Sequence, residues 1–205
     1  MKNAEPLILP QAILFDMDGT LTAPLLDFDA IKREMGIPMQ PILETLAAMD
    51  ADARQVAETI LHRHEDRAAM ESTLNPGCPE LLHWLSRIGI ATALVTRNSR
   101  RSVTTVFQRH GLHFDVCITR EDGKFKPDPA PLQLACRRLH VKESQTWMVG
   151  DSHHDVDAGT AAGVRTVWLS HGSMRNFTNE PWRTVRDLVE FTELLRACLK
   201  NQGQP

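Results

Sequence analysis

The sequence lacks the features that three broad functional classes would require. No apolar run approaches the ~20 residues that span a bilayer. Its four cysteines, Cys78, Cys117, Cys136 and Cys198, are widely spaced and form no C-x-x-C pair. They offer neither a disulfide framework nor clustered zinc ligands, and each is expected to behave as a small buried hydrophobe in a reducing compartment. With 23 Lys and Arg against 26 Asp and Glu, the net charge is −3. That balance excludes the general basic footprint of a nucleic-acid binder. Tyrosine is missing altogether, which by itself constrains nothing. There is no internal repeat and no low-complexity segment. Residues 1–6 do not open a signal peptide, so the expectation is a cytoplasmic protein with neither membrane nor nucleic acid as partner. No oligomeric state is specified. What is present, 42% hydrophobic and 24% charged residues in a chain of 205, suits one sizeable domain or a core with a small insert.

The most distinctive stretch is Ala12-Ile13-Leu14-Phe15-Asp16-Met17-Asp18-Gly19-Thr20-Leu21-Thr22. An apolar strand ends abruptly in two aspartates one residue apart. Where a strand gives way to a loop, residues i and i+2 can both point into the cleft beyond its end. Two carboxylates there, with glycine just after, suggest a magnesium-dependent nucleophile site. An aspartate-rich turn closing a buried strand explains the same residues, because Asp and Gly supply turn geometry. The stretch alone leaves both readings open.

Residues from about Leu25 to Asn75 contain no credible strand and read as three helices. The first follows possible caps Asp27 and Asp29 and breaks at Gly36 and Pro38. The second fits Ile42 to Met49. The third runs from about Asp52 to Met70, with Val56, Ala57, Ile60, Leu61, His64 and Ala68 predicted on one face. Arg54 with Glu58, and His62 with Asp66, stand four apart as surface pairs would.

From Pro79 onward helices and strands alternate. Strands are expected over 90–96, 115–119, 146–151 and 165–169, with helices over 79–87, 99–110 and 129–139 and another after Asp151 ending near Gly163. The tail, 181–199, reads mostly as an amphipathic helix. This alternation predicts an α/β fold, a doubly wound, Rossmann-like parallel sheet flanked by helices, with a small inserted helical segment. Polar chemistry then recurs at strand ends: Asp16 and Asp18, Thr96-Arg97-Asn98-Ser99, Lys124-Phe125-Lys126-Pro127, and Gly150-Asp151-Ser152-His153-His154-Asp155. In a parallel sheet those ends share one edge, where such sheets bind ligands.

In order and placement these four segments resemble the signature motifs of the haloacid dehalogenase-like superfamily, over nearly the whole chain from Ile13 to Leu169. The insert between the first and second motifs resembles the subclass with a helical cap, of the phosphoglycolate phosphatase and β-phosphoglucomutase type. The resemblance implies a core of residues 1–22 and 76–205 and a cap of residues 23–75. It implies a phosphatase acting on a small phosphorylated metabolite with Mg2+ as cofactor. Asp16 would attack phosphorus to give an aspartyl-phosphate, and Asp18 would act as general acid and then base. Thr96 would donate its hydroxyl to a phosphoryl oxygen, and Lys126 would neutralise charge. Magnesium would be held by Asp16, the Asp18 main-chain carbonyl, Asp151 and Asp155, and Gly19, Thr20, Arg97 and Asn98 would contact substrate.

Several points stay open within that resemblance. Many relatives have asparagine directly after the threonine, whereas here Arg97 intervenes before Asn98. Arg97 either meets an anion on the substrate or pairs with an acidic residue. Asp151 and Asp155 could simply cap a helix. Lys124 competes with Lys126, although the Lys-Pro pair favours the latter. His153 and His154 suit magnesium poorly and are expected at an exposed helix start. His62, Arg63, His64 and Arg67 are either substrate contacts or a solvated face. The short insert argues against a phosphosugar mutase, which must exclude water. Lys32, the insert's one lysine, has no context for a Schiff-base role in phosphonate hydrolysis. A non-catalytic phosphate- or partner-binding module would have no need to retain Asp16, Asp18, Lys126 and Asp151 together.

Overall fold

A computed structural model describes residues 8–202, and the signal-peptide question at residues 1–6 lies outside them. Six parallel strands form one sheet in the order β3-β2-β1-β4-β5-β6. They are β1 (Ala12–Phe15), β2 (Ala91–Val95), β3 (Val116–Ile118), β4 (Thr146–Gly150), β5 (Arg165–Leu169) and β6 (Arg183–Val185). The chain builds outward from β1 through β2 to β3, then returns to the other side of β1 for β4 to β6. The order therefore reverses at β1, and the crevice beyond its carboxyl end is the natural binding position of the fold.

Strand alternation divides the core into two layers. Ile13 and Phe15 of β1, Leu94 of β2 and Trp147 and Val149 of β4 face one side. There they meet α4 (Cys78–Arg87), α5 (Arg100–His110) and α8 (Leu188–Gln202), through Leu81, Leu85, Val103, Phe191 and others. Leu14, Ala93, Val95 and Met148 face the other side, against α6 (Ala130–Leu139) and α7 (His153–Ala162). The central strands are apolar at successive positions because both faces are covered. Among the described residues, no helix is long and apolar enough to cross a membrane.

Between β1 and β2 lie α1 (Phe28–Met35), α2 (Ile42–Ala47) and α3 (Ala51–Glu71). They share a small cluster of their own, built on Ile31, Ile42, Leu46, Ala57 and Leu61. The two connections to the sheet run side by side. Ala23 N donates to Thr73 O at 2.9 Å, and Asn75 N donates to Leu21 O at 2.8 Å.

Four expectations need correction. The apolar run after residue 6 is expected from the sequence to belong to the first strand, but its described residues Ile8 and Leu9 lie outside β1: Ile8 is exposed, and Pro10, which has no N–H to give a ladder, stands between them and the strand. The tail begins with β6, a three-residue edge strand paired only to β5, too short and too polar to show an apolar pattern. On α3 the buried stripe is Ala57, Leu61, Glu65 and Ala69, whereas Val56 is exposed and Ile60 and His64 are only half-buried. The apolar pattern pointed one residue aside because the true stripe passes through a glutamate whose charge Arg120 neutralises. Asp66, finally, pairs with Arg101 at 2.9 Å, not with His62; the Arg54–Glu58 pair is present at 2.7 Å.

Candidate active site

Asp16 is the first residue past β1, and its N–H still donates to Val149 O at 2.9 Å, so its position is fixed by the sheet. Its carboxylate lies at the crevice where the strand order reverses. Lys126, from the loop after β3, places Nζ 2.8 Å from Asp16 Oδ1 and 2.6 Å from Asp155 Oδ1. The ammonium is 2% exposed and Asp155 is fully buried. Lys124, by contrast, is exposed and pairs with Asp128 at 2.8 Å.

Asp155 serves two structures at once. Its Oδ2 accepts from Ser152 N at 3.0 Å and Ser152 Oγ at 2.7 Å, a capping box that starts α7. The other oxygen faces Lys126. Asp151 is the first residue past β4, with its main-chain carbonyl held by Trp168 Nε1 at 2.9 Å. One carboxylate oxygen from each of Asp16, Asp151 and Asp155 lies within 4.8 Å of the others.

Two glycines make that crowding possible. Gly19 has φ +75°, and a Cβ there would fall 2.1 Å from Asp151 Oδ2; at Gly150 one would fall 2.2 Å from Asp155 Cγ. Neither position has room for a side chain while the carboxylates stay where they are.

The electrostatics are correspondingly unbalanced. Burial pushes Asp16 up to about 7, against the pull of Lys126. Burial, with Asp16 and Asp155 adding repulsion, pushes Asp151 up to about 8. Burial also raises Asp18, although Asn98 Nδ2 donates to one of its oxygens and Thr22 Oγ1 donates to the other at 3.3 Å. Burial would lower Lys126, but Asp155 and Asp16 outweigh it and the ammonium is held charged. One cation among four carboxylates leaves a negative, oxygen-only donor set with too little compensation. A hard divalent cation fits that chemistry.

Asp16, Asp18, Thr96, Asn98, Lys126 and Asp151 all line a cavity of about 510 Å³ between the sheet edge and the inserted helices. Thr96 Oγ1 accepts from Asn98 N at 3.1 Å, which leaves its hydrogen free to donate. Arg97 also borders the cavity, but its guanidinium forks onto Glu44 of α2, with Nη2 2.8 Å from Oε2 and Nη1 3.0 Å from Oε1. It also donates to Lys126 O and lies 4.9 Å from the Phe125 ring centroid. Gly19 and Thr20 are not among the residues that line the cavity, and Thr20 is fully buried.

His153 and His154 line the cavity with ring centroids 3.9 Å apart and are not among the clustered ligands. Burial, helped by Arg97 and His153, lowers His154 to about 4, so it is neutral near pH 7. His62, Arg63 and Arg67 border a separate depression on α3. Arg63 and His64 pair with Glu34, and Arg67 with Glu71.

Sequence reasoning missed the residues that hold the Asp16–Thr22 loop from behind. Asn75 Nδ2 donates to the carbonyls of Thr20 (2.8 Å), Thr22 (3.2 Å) and Gly19 (3.3 Å), and His171 Nε2 lies 2.6 Å from Gly19 O. Contacts to main-chain carbonyls leave no pattern in a sequence. The Ser152 capping box did leave one, a serine three residues before Asp155.

A sequence model described as haloacid dehalogenase-like hydrolase matches residues 23–169, well over half of the chain. The chain belongs to the haloacid dehalogenase-like hydrolases. It is 33% identical over 192 residues to a phosphoglycolate phosphatase of Pseudomonas syringae pv. tomato, covering 80% of this chain and 71% of that one. It is 30% identical over 190 residues to an N-acetylmuramic acid 6-phosphate phosphatase of Pseudomonas aeruginosa, covering 79% and 82%. The solved structure of a hydrolase from Pseudomonas syringae superposes with TM-score 0.78 at 18% identity over 91% of this chain and 98% of that one, a likeness of fold. The resemblance read from the four motifs is thus membership of the family.

Proposed function

We propose that this haloacid dehalogenase-like hydrolase is a magnesium-dependent phosphatase of a small phosphorylated metabolite. The observation that carries the reading is Lys126, buried and bridging Asp16 and Asp155 beside Asp151 at the reversal point of the sheet. Magnesium would be held by Asp16, the Asp18 main-chain carbonyl, Asp151 and Asp155. It would offset the repulsion between the Asp16 carboxylate and an incoming phosphate.

An Asp16 oxygen attacks phosphorus while the ester P–O bond breaks, which leaves an aspartyl-phosphate and an alkoxide. Thr96 donates its hydroxyl to a phosphoryl oxygen, and Lys126 balances the negative charge. Asp18, whose proton affinity is raised by burial, gives a proton to the alkoxide. Asn98 and Thr22 hold its carboxyl in place. In the second half Asp18 takes a proton from water, the hydroxyl adds to phosphorus, and the P–O bond to Asp16 breaks to release inorganic phosphate. Gly19 and Thr20 act through the loop backbone, and residues 23–75 act as a cap over the cavity, with Arg97 at the joint between cap and core.

The test is phosphate release from an aryl phosphate with magnesium present. The Asp16→Asn variant should lose at least about 10³-fold in kcat, since removal of a covalent nucleophile leaves only binding and electrostatic assistance. Chelation of the metal should also abolish turnover. An Asp16→Asn variant as active as the parent, or activity indifferent to chelation, would overturn the mechanism.

A further inference from the structure

Just past β5 the backbone turns left-handed at two consecutive residues, His171 with φ 49° and Gly172 with φ 79°. Glycine adopts such angles freely. A histidine there is held in a sparsely occupied conformation that persists only where its surroundings impose it. The other non-glycine residue with positive φ among the described residues, His140, is the C-cap of α6, where a left-handed residue ends a helix in the ordinary way. His171 ends no helix. Its N–H donates to Arg186 O at 2.9 Å, and the N–H of Ser170 beside it donates to Val185 O at 2.8 Å. The short strand β6 and the residue after it therefore fix where the turn lies.

The turn delivers the imidazole to the Asp16–Thr22 loop. Nε2 lies 2.6 Å from Gly19 O, and because a carbonyl only accepts, that nitrogen carries the proton and donates it. His171 is otherwise exposed, so core packing gives no reason for its conformation. Gly19 needs a restraint from outside, since a glycine at φ 75° has no side chain to limit its backbone. Two groups depend on where it lies. One is Asp151 Oδ2, so close that a Cβ on Gly19 would fall 2.1 Å from it. The other is the main-chain carbonyl of Asp18, which belongs to the planar peptide on the amino side of Gly19. Trp168 of β5 already holds Asp151 through its main-chain carbonyl at 2.9 Å. The end of β5 and the turn after it thus hold both neighbours, Asp151 and Gly19.

We propose that His171 is a positioning residue for the divalent cation. By donating to Gly19 O it keeps the Asp18 carbonyl and the Asp151 carboxylate placed to act as ligands together. It acts through Gly19 and lines no part of the cavity. Asn75 ties the same loop, but it spans three carbonyls and joins the loop to the return connection of the helical segment, which makes it a bond of the fold. Removing the imidazole leaves those three contacts in place and frees Gly19 alone, so its effect falls on the ligands beside Gly19. The inference rests on the carboxylate cluster being a divalent-cation site, as proposed above.

The test measures magnesium binding by calorimetry on the metal-free protein without substrate, beside its melting temperature and its kcat on an aryl phosphate. His171→Gly keeps the left-handed turn, which suits glycine, and deletes the imidazole. It should bind magnesium about tenfold more weakly than the parent, the scale of losing one contact behind a metal ligand. Without metal it should melt within about 3 °C of the parent. Its kcat should fall by a similar factor at low magnesium and recover as magnesium is raised. His171→Gln, which keeps a neutral donor, should regain part of the affinity. Undiminished magnesium affinity in a folded His171→Gly variant, or a weaker affinity accompanied by a matching loss of metal-free stability, would overturn the role of His171 while the phosphatase reading stood. A parent that binds no magnesium would overturn the cation site and this inference together.

Discussion

Two clusters of buried charge in this molecule have opposite characters. Between α3 and the core, Glu65 and Arg120 meet as one carboxylate and one guanidinium, forked together, with side chains 4% and 13% exposed. At the sheet edge, Asp16, Asp18, Asp151 and Asp155 surround a single Lys126. In the first, burial alone pushes Glu65 up and Arg120 counters it, and every charge has its partner. In the second, Asp16 and Asp151 are pushed up to about 7 and about 8. A matched pair is a joint: it fixes one helix against the rest. An unmatched set costs stability to hold together, and proteins keep such sets where chemistry uses them.

The contrast is broken most severely at Asp151. Replacing it with Asn should lower kcat/KM by about 10³–10⁴-fold, roughly 4–5 kcal/mol of transition-state stabilisation. The same variant, measured without metal at pH 8, should unfold at a higher temperature than the parent, because one member of a repelling set is gone. If Asp151→Asn lost activity and stability together, the edge cluster would be a joint like the other.

At Glu65 the opposite pattern is expected. Glu65→Ala strands a buried guanidinium and should cost about 3–4 kcal/mol in denaturant unfolding. Changing both partners, as in Glu65→Leu with Arg120→Met, should recover most of that loss. A single variant within 1 kcal/mol of the parent would show that the pair holds nothing.

The smallest effect is read through pH. Asp16 and Asp151 have folded values above the ordinary value of 3.8. The stability linked to them is therefore fully present below about pH 4 and is lost as pH rises through about 7 and about 8. Magnesium competes with those protons, so it should raise the melting temperature at pH 8, by about 5–10 °C at a hundredfold excess over its dissociation constant. At pH 5 it should raise it far less. An equal shift at both pH values would mean that the cation binds elsewhere.

The parts of this molecule that were legible in the sequence are those whose cause is local. A buried parallel strand announces itself by an unbroken apolar run, and Phe15-Asp16-Met17-Asp18 shows where that run stops. The strand ends bearing Thr96, Lys126 and Asp151 were found in the same way, and a parallel sheet requires them to converge. Where the cause lies across the fold, the signal fails. Glu65 looks like a surface residue until Arg120, 55 residues away, is known to face it. The Arg97–Glu44 fork spans 53 residues and leaves no trace in either neighbourhood. β6 is hidden for another reason: three residues on a sheet edge, paired on one side, need no apolar pattern to form.

The paired connections at Ala23–Thr73 and Leu21–Asn75 carry a consequence for how this chain can change. Because the core already holds the two ends of the helical segment side by side, the intervening chain is a closed loop whose length is nearly free. Doubling such a loop costs only about 0.6 kcal/mol in closure entropy. Helices can therefore be lengthened, exchanged or trimmed at this junction while Asp16, Lys126 and Asp155 keep their places. The sheet edge and the helical segment are separately adjustable, and the junction is where a designer would cut.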